Sequence, residues 1–107
     1  MDFRERLRTI EESQIEGRWR LFDRLTFRNG LSLSIQAGPL LYSEPAQVLT
    51  PYEYDSFEVA VLNTEPREII GDVAAYVPVE SVQEMYDQMV DGTFDIATFQ
   101  ERWNYGS

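Results

Sequence analysis

Carboxylates are the side chains through which this chain could do acid–base chemistry. The 107 residues include no histidine and no cysteine, and all nine basic residues are arginine. Without histidine or cysteine no Ser–His or Cys–His relay can be assembled, and the commonest general base and metal ligand is missing. Without lysine there is neither Schiff-base chemistry nor a phosphate-loop lysine. Two sets of acids remain. Glu53, Asp55 and Glu58 gather around the start of one strand. Asp87, Asp91 and Asp95 recur every fourth residue, a spacing that invites a metal reading. A calcium loop, however, needs acids at alternate positions ahead of its glycine and a glutamate at its end. The stretch from Asp87 to Gly92 departs from that pattern. Gly71 and Gly92 stand alone, with no phosphate-loop or dinucleotide fingerprint around them. No catalytic, cofactor-binding or metal-ligating residue is assigned, no cofactor is expected, and the expected protein is not an enzyme.

Charge carries more information than catalytic chemistry. The net charge is −10 and it is unevenly spread. Residues 1–28 hold seven arginines against six acids, a net of +1, and residues 29–107 hold two arginines against thirteen acids, a net of −11. A field of this sign disfavours nucleic acid and anionic membranes and favours solubility and basic partners. The expected partner-binding surface is acidic, with Glu53, Asp55, Glu58, Glu80, Glu84 and Asp87 as its residues and a basic protein as its partner. An alternative site lies in the first strand, where Arg18, Arg20, Arg24 and Arg28 share a face with Phe22. Such a stripe could follow phosphates, with Phe22 as a stacking platform. The plainer reading is an arginine face that is solvated or paired with the chain's own acids.

These side chains must be positioned by elements that the hydropathy pattern makes legible. From Trp19 to Ala37 apolar residues alternate, at Trp19, Leu21, Leu25 and Phe27 and then at Leu31, Leu33, Ile35 and Ala37. Period two marks a strand with one buried face, and Asn29-Gly30 marks the turn of a hairpin. A two-residue loop would pair apolar with polar side chains throughout. A three-residue loop, Arg28-Asn29-Gly30, sets Phe27 opposite Leu31 and Leu25 opposite Leu33, with Gly30 at positive φ. The open face would then carry the arginines opposite Ser32, Ser34 and Gln36.

Asp2 to about Glu16 reads as a helix with Phe3, Leu7, Ile10 and Ile15 as its stripe, capped by Asp2 and closed by Gly17. After Gly38-Pro39, residues 40–42 form a short apolar run and residues 43–50 a loop. Glu53 to Leu62 is the next strand, with Phe57, Val59 and Val61 inward. A turn or linker at 68–71 leads to a fourth strand, Asp72 to Val77, with Val73, Ala75 and Val77 on one face. Pro78 opens the strongest amphipathic helix, striped by Val79, Val82, Met85, Tyr86, Met89 and Val90 and stopped at Gly92. Thr93 or Asp95 caps a last helix in which Ile96, Phe99 and Trp103 share a face, and residues 104–107 are expected to fray. The aromatics Tyr52, Tyr54, Tyr86, Trp103 and Tyr105 are divided between core, rim and an interface patch.

The expected architecture is a single α+β domain over residues 1–107, in the order αββββαα. Its four-stranded antiparallel sheet carries the helices on one face, in two layers. No apolar run approaches the ~18 residues that span a bilayer, and no signal peptide is visible, so the expected location is the cytoplasm.

The strings GLSLSIQAG (30–38), YSEP (42–45) and YVPVESV (76–82) resemble small uncharacterised proteins of actinobacterial phages and their hosts. The resemblance covers about half of the chain and includes no catalytic motif. It implies a compact phage or prophage accessory protein acting in the host cytoplasm. Together with the charge asymmetry it leads to an expected function: an inhibitor that presents acidic groups to a host nucleic-acid-binding or defence protein, as a nucleic-acid mimic does. The alternatives are phosphate binding through the arginine stripe and self-assembly of a structural subunit through an exposed sheet edge.

Overall fold

A computed structural model describes residues 1–8, 22–37, 51–65, 68–70 and 73–103. They form an α+β fold with a four-stranded antiparallel sheet and two helices. The strands are β1 (Leu25–Thr26), β2 (Leu31–Gln36), β3 (Ser56–Asn63) and β4 (Ala74–Pro78), and they lie side by side in that order. The helices are α1 (Val79–Asp91) and α2 (Ile96–Trp103). Helix α1 packs across β3 and β4 on one face of the sheet.

The hairpin has the three-residue loop that its faces require. Leu25 pairs with Leu33 and Thr26 with Ser32, and the Phe27 N–H donates to the Leu31 carbonyl at 3.0 Å. Gly30 sits at φ +83°. A side chain is disfavoured there by its own backbone, because no atom lies within 4 Å of where a Cβ would be. The Asn29 carboxamide closes the loop by accepting from the Leu31 N–H. It also donates to the Met89 sulfur at 3.3 Å, which ties the turn to α1.

Leu33, Ile35, Phe57, Val59, Val61 and Val77 pack against Val82, Met85, Tyr86 and Met89 in one apolar cluster. Burial of this area is the main stabilising term of such a small domain. Rings add directional contacts. Phe27 meets Tyr86 edge-on at 5.7 Å and Phe3 meets Phe57 edge-on at 5.6 Å.

Several expectations are corrected by the fold. Over residues 1–8 the expected first helix is a 3-10 turn, Phe3–Arg6, after which Leu7 has an extended backbone. Asp2 caps this turn through the Arg4 N–H. Phe3 is buried, and Gln83 of α1 holds the segment by accepting from the Phe3 N–H and donating to the Met1 carbonyl. Ile10, Ile15 and Gly17 lie outside the described residues, as do Trp19, Leu21, the run 40–42, the loop 43–50, and residues 104–107 with Tyr105.

Among the described residues of the first strand only Leu25 and Thr26 form a ladder, with Phe22 in an isolated bridge. The alternation breaks between Phe22 and Leu25, because both are buried although they are three residues apart. The face expected to be open is partly closed: Ser32, Gln36, Ser56, Ala60 and Leu62 are buried, Ser34 and Glu58 are half-buried, and Thr26 and Arg28 are exposed.

Residues 68–70 return along β3 instead of forming a helical turn. Leu62 bridges Ile69, and the Ile70 N–H donates to the Val61 carbonyl at 2.7 Å.

In β4 the inward residues are Ala74 and Val77, not Val73, Ala75 and Val77. Phe57 pairs with Val77 but Val59 pairs with Ala74, so β4 carries one extra residue, a bulge. Tyr76 takes up the bulge at φ +52°, the one non-glycine at positive φ among the described residues.

Helix α1 begins directly from β4. Pro78 is its N-cap and offers no side-chain hydrogen bond, and the Asp55 carbonyl accepts the Val79 N–H instead. Val90 is 60 % exposed and does not belong to the buried stripe. Gly92 ends the helix at φ +78°, and the Gln88 carbonyl collects the N–H groups that follow. Asp95, not Thr93, caps α2. Its carboxylate accepts from the Ala97 N–H at 3.1 Å and from the Thr98 hydroxyl at 2.8 Å.

Candidate functional site: the carboxylate stripe of α1

Helix α1 is amphipathic in charge as well as hydropathy. Its buried side is Val82, Met85, Tyr86 and Met89. On the far side lie Glu80, Glu84, Asp87 and Asp91, at steps of four, three and four residues, and all are exposed. At 100° per residue these positions fall within one narrow stripe, about 16 Å long from end to end. The sequence alone picks out Glu80, Glu84 and Asp87. Asp91 completes the row, and its spacing from Asp87 was the available signal.

Among the described residues no cation is paired with the stripe. The ion pair seen there joins Arg4 to Asp2 at 2.7 Å and includes none of these carboxylates. The polar contacts of the stripe come from glutamines. Gln83 donates to Asp87 at 3.0 Å and Gln88 reaches Glu84 at 3.5 Å. No basic residue occupies the last turn of α1. Asp91 therefore faces the negative end of the helix dipole, an arrangement that costs stability instead of adding to it. Like charges four apart, at Glu80–Glu84 and Asp87–Asp91, repel weakly as well.

The second acidic set is not brought together in this way. Glu53 ends a 3-10 turn, Asp55 is exposed between that turn and β3, and Glu58 is half-buried in β3 opposite Gln36. Glu53 and Glu58 are already engaged in interactions within the chain. The docking candidates thus reduce to the α1 row.

The arginine alternative loses its aromatic platform. Phe22 is 3 % exposed and belongs to the core, where no base could stack on it. Arg24 is half-buried and engaged, Arg28 is exposed at the hairpin loop, and Arg18 and Arg20 lie outside the described residues.

The aromatic patch also disperses. Tyr54 and Tyr86 are buried, while Tyr52 is exposed with the Arg4 guanidinium 5.1 Å from its ring centre.

Among the described residues no three acidic side chains are grouped to hold a metal ion, Asp87, Asp91 and Asp95 included. Nor is any helix among them long and apolar enough to cross a membrane.

Comparison of the chain with models of known protein families, with curated proteins and with solved structures gave no match.

Proposed function

We propose that this protein is a non-enzymatic acidic binding module whose α1 stripe docks on a basic surface of another protein. The observation that carries this reading is the row Glu80, Glu84, Asp87 and Asp91, exposed on one face with no cation among the described residues paired to it. Asp91 strengthens it, because a carboxylate at that helix end is unfavourable for folding and needs another reason to be there. The row carries one charge per ~5.5 Å of helix axis, against one per ~3.4 Å along a DNA strand. That density suits a groove lined by arginine and lysine.

Taken with the resemblance to actinobacterial phage proteins, the proposed partner is a host nucleic-acid-binding or defence protein. The stripe would occupy the place of the phosphates and block the nucleic acid. Two features of the sheet argue against assembly through its edges. Among the described residues edge strand β1 is two residues long, and edge strand β4 carries a bulge and Pro78, devices that blunt strand pairing.

The test is a pull-down with the tagged protein from actinobacterial lysate, washed at low and at high salt. A partner docked through exposed carboxylates is released by salt, since ~0.15 M salt already screens such charges beyond ~8 Å. It is also lost from the Glu80→Gln, Glu84→Gln, Asp87→Asn triple variant. A partner retained through both treatments would sink the proposal.

A further inference from the structure

Beside the stripe, α1 and α2 diverge from the Gly92 turn and leave a cleft of about 120 Å³ between them. The buried Phe99, with Phe94 tilted against it at 5.9 Å, and the half-buried Trp103 give it apolar walls. Its charged lining is Glu84, Asp95 and Arg102, all exposed, with the exposed Thr93 and Thr98 beside them. An enclosed apolar cavity of roughly 150 Å³ accommodates a benzene ring; this cleft is slightly smaller but open to solvent, so it can seat the inner part of one side chain. On α1 the cleft-lining positions Ser81 and Gln88 fall about a quarter turn from the centre of the stripe, between it and the core face, and Glu84 lies at the stripe's near edge. Glu84 belongs to both.

We propose that the cleft is the anchor pocket of the docking surface. It takes one aromatic or large aliphatic side chain from a partner segment whose neighbouring arginines and lysines pair with Glu84 and the rest of the stripe. The inference rests on the acidic-docking reading and adds to it a hydrophobic requirement in the partner. Charge complementarity fixes the occupant as a basic segment. Glu84 and Asp95 line the opening, Arg102 is the single cation among its lining residues, and Glu84 continues into the acidic stripe of α1. Arg102 is turned onto the Trp103 ring at 5.1 Å, with its guanidinium 3.5 Å from the Ser81 hydroxyl. An apolar anchor set among charged contacts is the usual division of labour in a docking site.

Two synthetic peptides test this, one with a tryptophan between two pairs of arginines and one with alanine in its place. Binding to the full chain is followed by the amide NMR shifts of Phe94, Thr98 and Trp103 and by titration at two salt concentrations. The tryptophan peptide is expected to bind about tenfold more tightly and to shift those three amides. Ser81→Phe, which fills the cleft from a half-buried helix position without removing a core side chain, should abolish the difference. It should leave the salt-sensitive binding of the alanine peptide intact. Equal affinities for the two peptides would overturn the anchor pocket and leave the acidic reading standing. Binding of the tryptophan peptide that ignores salt and the triple neutralisation would overturn the acidic reading, and this inference with it. Ser81→Phe binding both peptides as the parent does would also overturn the pocket.

Discussion

The Gln36 side chain holds the Phe22 backbone as a neighbouring strand would. Its Oε1 accepts from the Phe22 N–H at 2.9 Å, and its Nε2 donates to the Phe22 carbonyl at 2.7 Å. Both residues are buried, so these bonds satisfy backbone groups that water does not reach. Where the ladder of the first strand stops, a carboxamide continues it.

Replacing Gln36 should therefore be costly for a residue on the supposedly polar face. Gln36→Leu keeps the bulk but orphans a buried N–H and a buried carbonyl, an expected loss of about 3 kcal/mol. Gln36→Glu retains the acceptor but sets a buried carboxylate against the Phe22 carbonyl, so at neutral pH it should be at least as costly as Gln36→Leu and should recover as the pH falls and the carboxyl gains a proton to donate. Urea unfolding of the three proteins checks this, and a Gln36→Leu variant within 0.5 kcal/mol of the parent, roughly the surface-substitution range, would refute it.

Tyr76 offers a test of backbone strain in which the usual sign is reversed. In a strand interior, glycine is less stable than alanine by roughly 0.5–1 kcal/mol. At φ +52° the left-handed region penalises any Cβ by roughly 1–2 kcal/mol. Tyr76→Gly and Tyr76→Ala both delete the ring, so their difference isolates the backbone. The glycine variant should melt higher than the alanine variant. The opposite order would mean that the bulge relaxes away from positive φ.

Asp91 should be a residue whose removal improves the fold. Asp91→Asn eases the clash with the helix dipole and with Asp87, an expected gain of about 0.5 kcal/mol. The gain should shrink in high salt. Partner binding should weaken in the same variant. A variant that gains stability without weakening binding would remove Asp91 from the proposed surface.

Asp2 should contribute to the acid limb of unfolding. The Arg4 guanidinium, hydrogen-bonded to its carboxylate, holds the Asp2 carboxyl below the usual range. A depressed folded-state pKa means stabilisation that is present above the unfolded value of ~3.9 and lost as pH falls through the folded value. The pair is partly exposed, so the contribution stays under about 1 kcal/mol. Asp2→Asn should lower stability at pH 7 by that small amount and leave it unchanged near pH 2. Equal destabilisation at both pH values would point to the cap of the 3-10 turn, not the charge, as what Asp2 supplies.

Much of the fold could be read from local pattern. The Leu25–Leu33 register follows from side-chain parity alone, since the other loop length would expose an apolar face. Helix α1 and its stop at Gly92 follow from a 3.6-residue stripe and a residue suited to positive φ. The carboxylate row is legible for the same reason, because helical spacing converts sequence directly into a surface.

Tertiary structure decided the points where period-two parity is broken. Nothing local to 72–77 places a bulge at Tyr76, and that one extra residue exchanges Ala74 for Ala75 on the inner face. Phe22 leaves the arginine face for the core because the chain departs from the strand between it and Leu25. Gln36 is drawn inside by the backbone groups that this departure leaves unpaired. At residues 3–7 the chain leaves the helical course at Leu7, where Phe3 is held by the Phe57 ring and by Gln83. In each case a long-range contact outweighs a propensity of a few tenths of a kcal/mol per residue, and a sequence read in short windows contains no term for it.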